Sequence, residues 1–390
     1  MDADANKRRL AFDIGRLRSA VDAVVDEATS SGRVVASVLL VSIGGRRIYE
    51  RAAGFADREA RTPVATSTIF RWASLTKPVV SATTLALVEQ GVISLDDPVA
   101  KFIPSFRPRL ADGETPTIAV RHLLTHTSGL TYRLFQGPDG PYSRADVSDG
   151  MDHPGRSIED NLRRAASAPL SFAPGSGWGY SIGLDVLGHA IAEAAGESLP
   201  ALVERLVAAP LGMADAGFVV RDRARLATAY GDGSPAPVRM GERHEVPFGE
   251  GAIAFAPDRM FNAGSYPSGG AGMSGTAGDF MQFLEAMRQG GAPVLASRSL
   301  EGLSTVATGD LATNQPGWGF GLGWSILRDP SLAATPQAPG TWRWGGVYGN
   351  SWFVDPANEL SVVLLTNTAV AGMTGAYPDA IRDAIYAARG

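Results

Sequence analysis

The segment FRWASLTKPVVSATTLALVEQG, residues 70–91, decides how this sequence is interpreted. It places Ser74 and Lys77 three positions apart, and the residues around them favour a helix that ends near Gly91. Residues i and i+3 share a helix face, so the Lys77 amine can lie beside the Ser74 hydroxyl. A serine needs a neighbouring base to become a strong nucleophile, and a desolvated, neutral lysine can be that base. The segment therefore predicts a nucleophilic serine at the start of a helix.

Alone, the Ser-x-x-Lys pattern is weak, because serine is also strongly preferred as an ordinary helix N-cap. On that alternative, Ser74 only caps the helix and Lys77 is solvated. The rest of the sequence has to decide between the two interpretations.

A competing motif occurs at GYSIG, residues 179–183, which matches the Gly-x-Ser-x-Gly nucleophile elbow of α/β-hydrolases. An elbow requires a buried strand directly before it, but a stretch rich in proline and glycine precedes this one. It also requires a histidine well downstream. The two histidines that follow Ser181 are His189, which is too near, and His244, after which none occurs. Ser181 is therefore not predicted to be the nucleophile.

Four stretches, in this order, resemble the serine β-lactamase and penicillin-binding-protein fold: SLTK at 74–77, HLLTHTSGL at 122–130, Tyr180-Ser181, and WGGVYGNSWFVDP at 344–356. Within that fold the chain is most similar to the family VIII carboxylesterases, which are esterases built like class C β-lactamases. The resemblance spans nearly the whole chain. It implies a serine carboxylesterase that hydrolyses short-chain carboxylic esters through an acyl-enzyme.

The resemblance also implies roles for single residues. Ser74 is the acylated nucleophile, Lys77 is its partner on the helix, and Tyr180 is the second basic group. The backbone N–H groups of Ser74 and Val347 form the oxyanion hole, which stabilises negative charge on the tetrahedral oxygen. Whether Lys77 or Tyr180 is the general base is left open, because coupled groups titrate as a pair.

The departures from the family pattern indicate the substrate. Ile182 stands where the second motif of a β-lactamase has asparagine, and Trp344-Gly345-Gly346 stands where the third has Lys-Thr-Gly. The cation that would hold a substrate carboxylate is thus absent from that motif, which favours an uncharged ester. We expect weak side activity on cephalosporins at most, and we expect Trp344, Gly345, Gly346, Trp178 and Ile182 to bind substrate.

Two other functions stay open at this point. One is a β-lactamase or D-alanyl-D-alanine carboxypeptidase of the same fold, which would hydrolyse β-lactams or D-Ala-D-Ala peptides as fast as simple esters. The other is a non-catalytic binding protein that kept the fold, which would form no covalent adduct with a serine-directed phosphonate. Fold alone does not choose among them.

Composition limits the partners and cofactors. The 390 residues carry a net charge of −5 without a concentrated basic surface, so we expect no nucleic-acid partner. No cysteine is present, which excludes Cys-ligated zinc, and His122 and His126 lack the glutamate of a zinc-protease motif. We expect no metal and no cofactor, and a small-molecule ester as the partner.

The sequence also bears on location. The N-terminal residues lack the apolar core of a signal peptide, and no segment reaches 18 apolar residues, so we expect a cytoplasmic protein with no membrane partner. Whether the protein is a monomer or a homo-oligomer is left open.

Hydrophobic patterning predicts an α/β protein of the α+β type, with an antiparallel sheet flanked by helices and a mostly helical second domain. Strand-like runs at 34–57, 317–327, 341–356 and 360–368 come from both chain ends. We expect residues 1–75 and 300–390 to form the domain with a sheet of five or more strands. Residues 76–299 would form the helical domain and active-site loops, with the site between the two. Helices are predicted at 8–28, 78–90, 158–168, 184–195, 199–207 and 377–388, and loops at 101–156 and 230–275.

Overall fold

Both ends of the chain meet in one sheet. The structure is a computed structural model that describes residues 12–249 and 251–389, so the predicted helix start at 8–11 lies outside the described residues. The helices are α1 Ile14–Ser30, α2 Thr76–Glu89, α3 Val120–Leu124, α4 Pro141–Arg144, α5 Ile158–Ser167, α6 Gly183–Ala195, α7 Leu199–Val203, α8 Ala277–Arg288, α9 Ser297–Ser304 and α10 Ala376–Ala387. The strands are β1 Ala36–Ile43, β2 Arg46–Asp57, β3 Thr62–Pro63, β4 Phe70–Arg71, β5 Tyr230–Gly231, β6 Val238–Arg239, β7 His244–Phe248, β8 Gly251–Phe255, β9 Ser274–Gly275, β10 Trp318–Phe320, β11 Ser325–Leu327, β12 Trp342–Gly346, β13 Asn350–Asp355 and β14 Leu360–Thr366.

The main sheet has eight strands in the order β10-β11-β12-β13-β14-β1-β2-β3, and neighbouring strands are antiparallel. The turn between β1 and β2 holds Gly44 and Gly45 at φ values of 58° and 81°. Two successive positive φ angles are what a tight hairpin turn needs, and glycine supplies them without steric cost. Strand β1 then pairs with β14 from the other end of the chain, with Ser37 opposite Thr366.

Helices cover both faces of this sheet. On one face α1 and α10 contribute the apolar side chains of Leu17, Val21 and Ile381 to a buried cluster. On the other face α8 packs against β13, where the rings of Phe280 and Trp352 are 5.8 Å apart. The predicted antiparallel sheet flanked by helices is therefore confirmed, with eight strands where five or more were expected.

Most predicted helices lie within a few residues of their expected bounds, and the predicted strand regions hold strands. Both predicted loop segments were wrong in part, and 101–156 contains the short helices α3 and α4. The segment 230–275, expected to be loop, contains the hairpin of β7 and β8, in which Val246 pairs with Ile253. Pro247 and the glycines at 249 and 251 gave this segment the composition of a loop and concealed its short apolar runs.

The division into domains stays a prediction. Helix α8, which falls inside the predicted helical region, packs against the sheet. Phe280 of that helix also contacts Trp72, two residues before Ser74, with ring centroids 5.1 Å apart. The helix therefore joins the sheet to the segment that carries the expected nucleophile.

Candidate active site

Ser74 lies in a 3-10 turn, Ala73–Leu75, that leads directly into α2. Lys77 Nζ donates hydrogen bonds to Ser74 Oγ at 3.1 Å and to the carbonyl oxygen of Gly270 at 2.8 Å. Ser74 keeps 7% of its surface exposed, whereas Lys77 is 1% exposed. The backbone of Ala73 has a φ of 47°, which is uncommon for a residue with a side chain and is typical of strained functional sites. The predicted serine–lysine pair is thus formed. Its lysine is fully buried, and its serine keeps a small exposed surface.

Aromatic rings hold the buried amine from the side. Lys77 Nζ lies 4.7 Å from the ring centre of Tyr180 and 5.3 Å from that of Tyr132. A cation within about 6 Å of a ring centre is attracted by the electron-rich face of the ring. The amine therefore makes two hydrogen bonds and lies close to two aromatic rings, in a position from which water is largely excluded.

Tyr180 is placed by contacts with two other segments. It lies in the loop before α6, and its hydroxyl oxygen accepts a hydrogen bond from Trp344 Nε1 at 3.1 Å. Its ring is 5.0 Å from the ring of Trp344 and 4.6 Å from that of His126. The indole of Trp344 therefore supplies an N–H donor at the motif position where a β-lactamase has a lysine.

The serine of the competing elbow motif has no access to solvent. Ser181 is fully buried, and its hydroxyl lies 3.2 Å from Nδ1 of His126. Burial and the charge of Lys77 hold the pKa of His126 well below its usual range, so this imidazole is neutral. No strand precedes Ser181, and its Oγ also accepts a hydrogen bond from the N–H of Gly183 at 3.2 Å, in the first turn of α6. Ser181 and His126 thus pack beneath Tyr180.

A cavity of about 270 Å³ opens above the pair. Of the predicted site residues, Ser74, Tyr180, Trp344, Gly345 and Val347 line it.

Three residues predicted to bind substrate are not among those that line the cavity. Ile182 is fully buried in the apolar core. Trp178 packs on Phe320, with ring centroids 5.6 Å apart. Gly346 faces the backbone before the nucleophile, where a β-carbon would lie 2.2 Å from the carbonyl oxygen of Trp72. Ile182 and Gly346 therefore support the site from behind, whereas Trp178 is partly exposed outside the cavity, and the substrate contacts of all three stay predictions.

The close approach at Gly346 explains how the two halves of the expected oxyanion hole come together. Only glycine allows β12 to run against the chain before Ser74, and Asn350 of β13 strengthens the contact by donating to the carbonyl oxygen of Arg71 at 2.8 Å. Val347 follows the end of β12 directly, and it lines the same cavity as Ser74. The geometry is compatible with N–H groups of both residues facing one substrate oxygen.

Several residues of the cavity wall were not predicted from the sequence. Leu134, Phe135, Phe248 and Met373 line it from three separate segments. Phe135 is half exposed at the cavity mouth. No short motif marks these positions. Their one common feature is that they are large apolar residues in loops or at the end of a short strand.

The described residues contain neither a metal-binding cluster nor a membrane-spanning helix. Within residues 12–249 and 251–389, His, Asp and Glu side chains form no group of three or more that could hold a metal ion. In the same residues, every helix is too short or too polar to cross a bilayer.

Comparisons with known proteins agree on one family. The family model described as Beta-lactamase matches residues 21–386. The chain is 50% identical to esterase EstB of Burkholderia gladioli over 99% of both chains. Among solved structures, EstCE1, described as a hydrolase with promiscuous acyltransferase activity, matches with a TM-score of 0.92 and 44% identity over 96% of this chain and 99% of that one. Unliganded simvastatin synthase LovD of Aspergillus terreus, at 23% identity and a TM-score of 0.73, shares the fold over 95% of this chain and 98% of its own.

Proposed function

Because the chain belongs to the Beta-lactamase family and is a serine carboxylic ester hydrolase, we propose that it cleaves short-chain esters through an acyl-enzyme on Ser74. The predicted family resemblance and enzyme class are confirmed by these relatives. The observation that carries the assignment of the nucleophile is the 3.1 Å contact between Lys77 Nζ and Ser74 Oγ at the base of an open cavity.

In the first half of the reaction, Ser74 Oγ attacks the ester carbonyl and gives its proton to the Lys77 and Tyr180 pair. Negative charge develops on the carbonyl oxygen, where the N–H groups of Ser74 and Val347 stabilise it. The tetrahedral intermediate then collapses, the alcohol leaves with the transferred proton, and the acyl group stays on Ser74. Water deacylates the serine in the second half by the reverse proton path.

The cavity wall supports an uncharged, small acyl or alcohol group. Trp344, Phe135 and Phe248 contribute apolar rings to the cavity that Ser74 lines, and polar residues that include Arg343 and Arg382 also line it. Apolar surface combined with polar groups that orient the ligand is typical of ligand pockets. Trp344 offers no cation to a substrate carboxylate. We therefore infer that β-lactams are poor substrates and that cephalosporins give weak side activity at most.

Intact-protein mass spectrometry after treatment with a p-nitrophenyl alkylphosphonate tests the proposal, together with p-nitrophenyl butyrate turnover. We expect one adduct per chain, mapped to Ser74 by peptide analysis, and loss of turnover in proportion to labelling. An adduct on Ser181 would overturn the mechanism. Absence of both adduct and turnover would support the non-catalytic alternative, and nitrocefin hydrolysis as fast as ester hydrolysis would support a β-lactamase.

Acyl transfer to an alcohol is a second candidate activity, favoured by the full-length similarity to EstCE1. The same acyl-enzyme would react with an alcohol in place of water, and the apolar wall at Phe135 and Trp344 would bind the alcohol. Mixing vinyl butyrate with benzyl alcohol in buffer should give benzyl butyrate beside butyric acid. Butyric acid alone would rule this activity out.

Replacing Trp344 by phenylalanine should lower kcat/KM about fivefold. The substitution keeps an aromatic ring but removes the Nε1 donor to the Tyr180 hydroxyl, and a hydrogen bond of about 1 kcal/mol orients that oxygen. Steady-state kinetics with p-nitrophenyl butyrate would measure the change. Trp342→Phe on the same strand is the control, because Trp342 is buried against Trp324. Equal losses in both variants would contradict the assigned role.

The cytoplasmic location expected from the sequence stays a proposal, to be tested by cell fractionation with an antibody against the native protein.

A further inference from the structure

A buried carboxylate lies behind the serine–lysine pair and has no part in the mechanism above. Asp185, in the first turn of α6, is 2% exposed. Its Oδ1 accepts hydrogen bonds from Ser268 Oγ at 2.5 Å and from the N–H of Gly270 at 3.3 Å. Its Oδ2 has no hydrogen-bond partner among the described residues. A buried carboxylate oxygen without a partner is costly, so its retention calls for an explanation.

The unpaired oxygen faces the same small space as the Lys77 amine. A β-carbon at residue 270 would lie 3.0 Å from Asp185 Oδ2, 3.2 Å from Tyr132 Oη and 3.4 Å from Lys77 Nζ. The three polar atoms therefore surround one point, which stays open because residue 270 is glycine. Lys77 donates to the carbonyl oxygen of Gly270, and the N–H of Gly270 donates to Asp185. Gly270 therefore lies between the two charged groups and is hydrogen-bonded to both.

We propose that Asp185 is a positioning residue whose carboxylate is the counter-charge of Lys77, and that Gly270 keeps open the space through which the two groups interact. The inference rests on the proposed function, because it acts through Lys77. No bond to the substrate is involved.

The other groups around this pair do not replace either charge. Burial raises the pKa of Asp185, and the charge of Lys77 opposes that rise more strongly than that of Arg259. Arg259 donates instead to the carbonyl oxygens of Asp152 and Tyr266. Burial also raises the pKa of Tyr132 and Tyr266 well above the usual range, so both phenols are neutral.

On the opposite side of Lys77, the ring of Tyr180 covers the amine and the neutral imidazole of His126 lies beneath that ring. Asp185 is therefore the anionic group placed to balance the ammonium.

The carboxylate matters for either assignment of the general base. If Lys77 accepts the serine proton, Asp185 stabilises the ammonium that forms in the transition state. If Tyr180 is the base, Asp185 keeps Lys77 charged beside it. In both cases removal of the carboxylate disfavours the ammonium form, so the limb of the pH profile that reports Lys77 should move to lower pH.

The test is the pH dependence of kcat/KM for p-nitrophenyl butyrate in Asp185→Asn. Asparagine keeps the size of the side chain and removes its charge. An opposite charge at this range shifts a titration by about one pH unit or more, so we expect the limb to move down by at least that amount. Asp279→Asn is the matched control, since Asp279 is also a buried carboxylate but caps α8 by accepting from Thr276. In Asp279→Asn the corresponding limb of the pH profile should not move.

Gly270→Ala is the second variant, because it keeps every charge and puts a methyl group into the shared space. We expect a downward movement of the same limb, and this variant decides the matter if Asp185→Asn does not fold. The inference would be overturned if the limb does not move in a folded Asp185→Asn, or if it moves equally in Asp279→Asn. Where Asp185→Asn fails to fold, an unmoved limb in Gly270→Ala would overturn it. Phosphonate labelling separates the two proposals: wild-type protein that fails to label on Ser74 refutes the proposed function, whereas labelling with an unmoved limb refutes only the role of Asp185.

Discussion

Ser74→Ala should abolish ester hydrolysis, with a fall in kcat of about 10⁴-fold or more. Loss of the nucleophile removes the covalent step altogether, and single deletions in serine hydrolases cost this much because the members of the site act as a unit. The side chain lost is small and partly exposed, so the free energy of unfolding should hardly change. Turnover of p-nitrophenyl butyrate and phosphonate labelling, followed by mass spectrometry, measure the effect.

Ser181→Ala is the matched control for that experiment. It removes a hydroxyl of the same size from the competing motif, where it contacts His126 and accepts from the N–H of Gly183. We expect a cost of about 1 kcal/mol in stability and kcat within a few-fold of wild type. If Ser181→Ala lost labelling and Ser74→Ala kept it, the nucleophile would be assigned to the wrong serine.

Lys77→Met should lower kcat by about 10³-fold and should also lower the thermal unfolding midpoint. Methionine fills nearly the same buried volume without the amine, so proton transfer at Ser74 is lost. At the same time Asp185 is left buried without its counter-charge, and removing one partner of a buried ion pair is strongly destabilising. The two measurements are steady-state kinetics and the thermal unfolding midpoint.

Lys101→Met provides the comparison for a lysine that has no contact with Ser74. Lys101 is exposed and pairs with Asp97 at 2.8 Å, so both activity and melting temperature should stay near wild type. Lys77→Met with wild-type turnover would remove the amine from the mechanism. A melting temperature below the assay temperature would instead attribute the lost activity to unfolding.

The predictable parts of the site are those that depend on residues close together in the sequence. The three-residue spacing of Ser74 and Lys77 fixes their contact once a helix forms, and the apolar runs in 34–57 predict strands. The family resemblance assigned Tyr180 and Trp344 to one site. Their hydrogen bond joins positions 164 residues apart, and no local pattern predicted it.

The parts that escaped prediction depend on how distant segments pack. No sequence pattern links Asp185 to Gly270. Only the folded chain shows that the unpaired oxygen of Asp185 faces the space that a side chain at Gly270 would fill. Ile182 was expected at the substrate because it occupies a motif position. Its hydrocarbon side chain is instead buried in the core, where burial is worth about 2 kcal/mol or more.

The pairing of β1 with β14 determines when the enzyme can first become active during synthesis. The centre of the sheet joins residues 36–43 to residues 360–366, and the strand that passes closest to the nucleophile lies at 342–346. A ribosome must therefore translate as far as residue 366 before the central strand finds its neighbour, and contacts of such long sequence separation form slowly. Until then β1 and β2 present an unpaired apolar edge, which makes the nascent chain a client for chaperones and gives premature termination no active product.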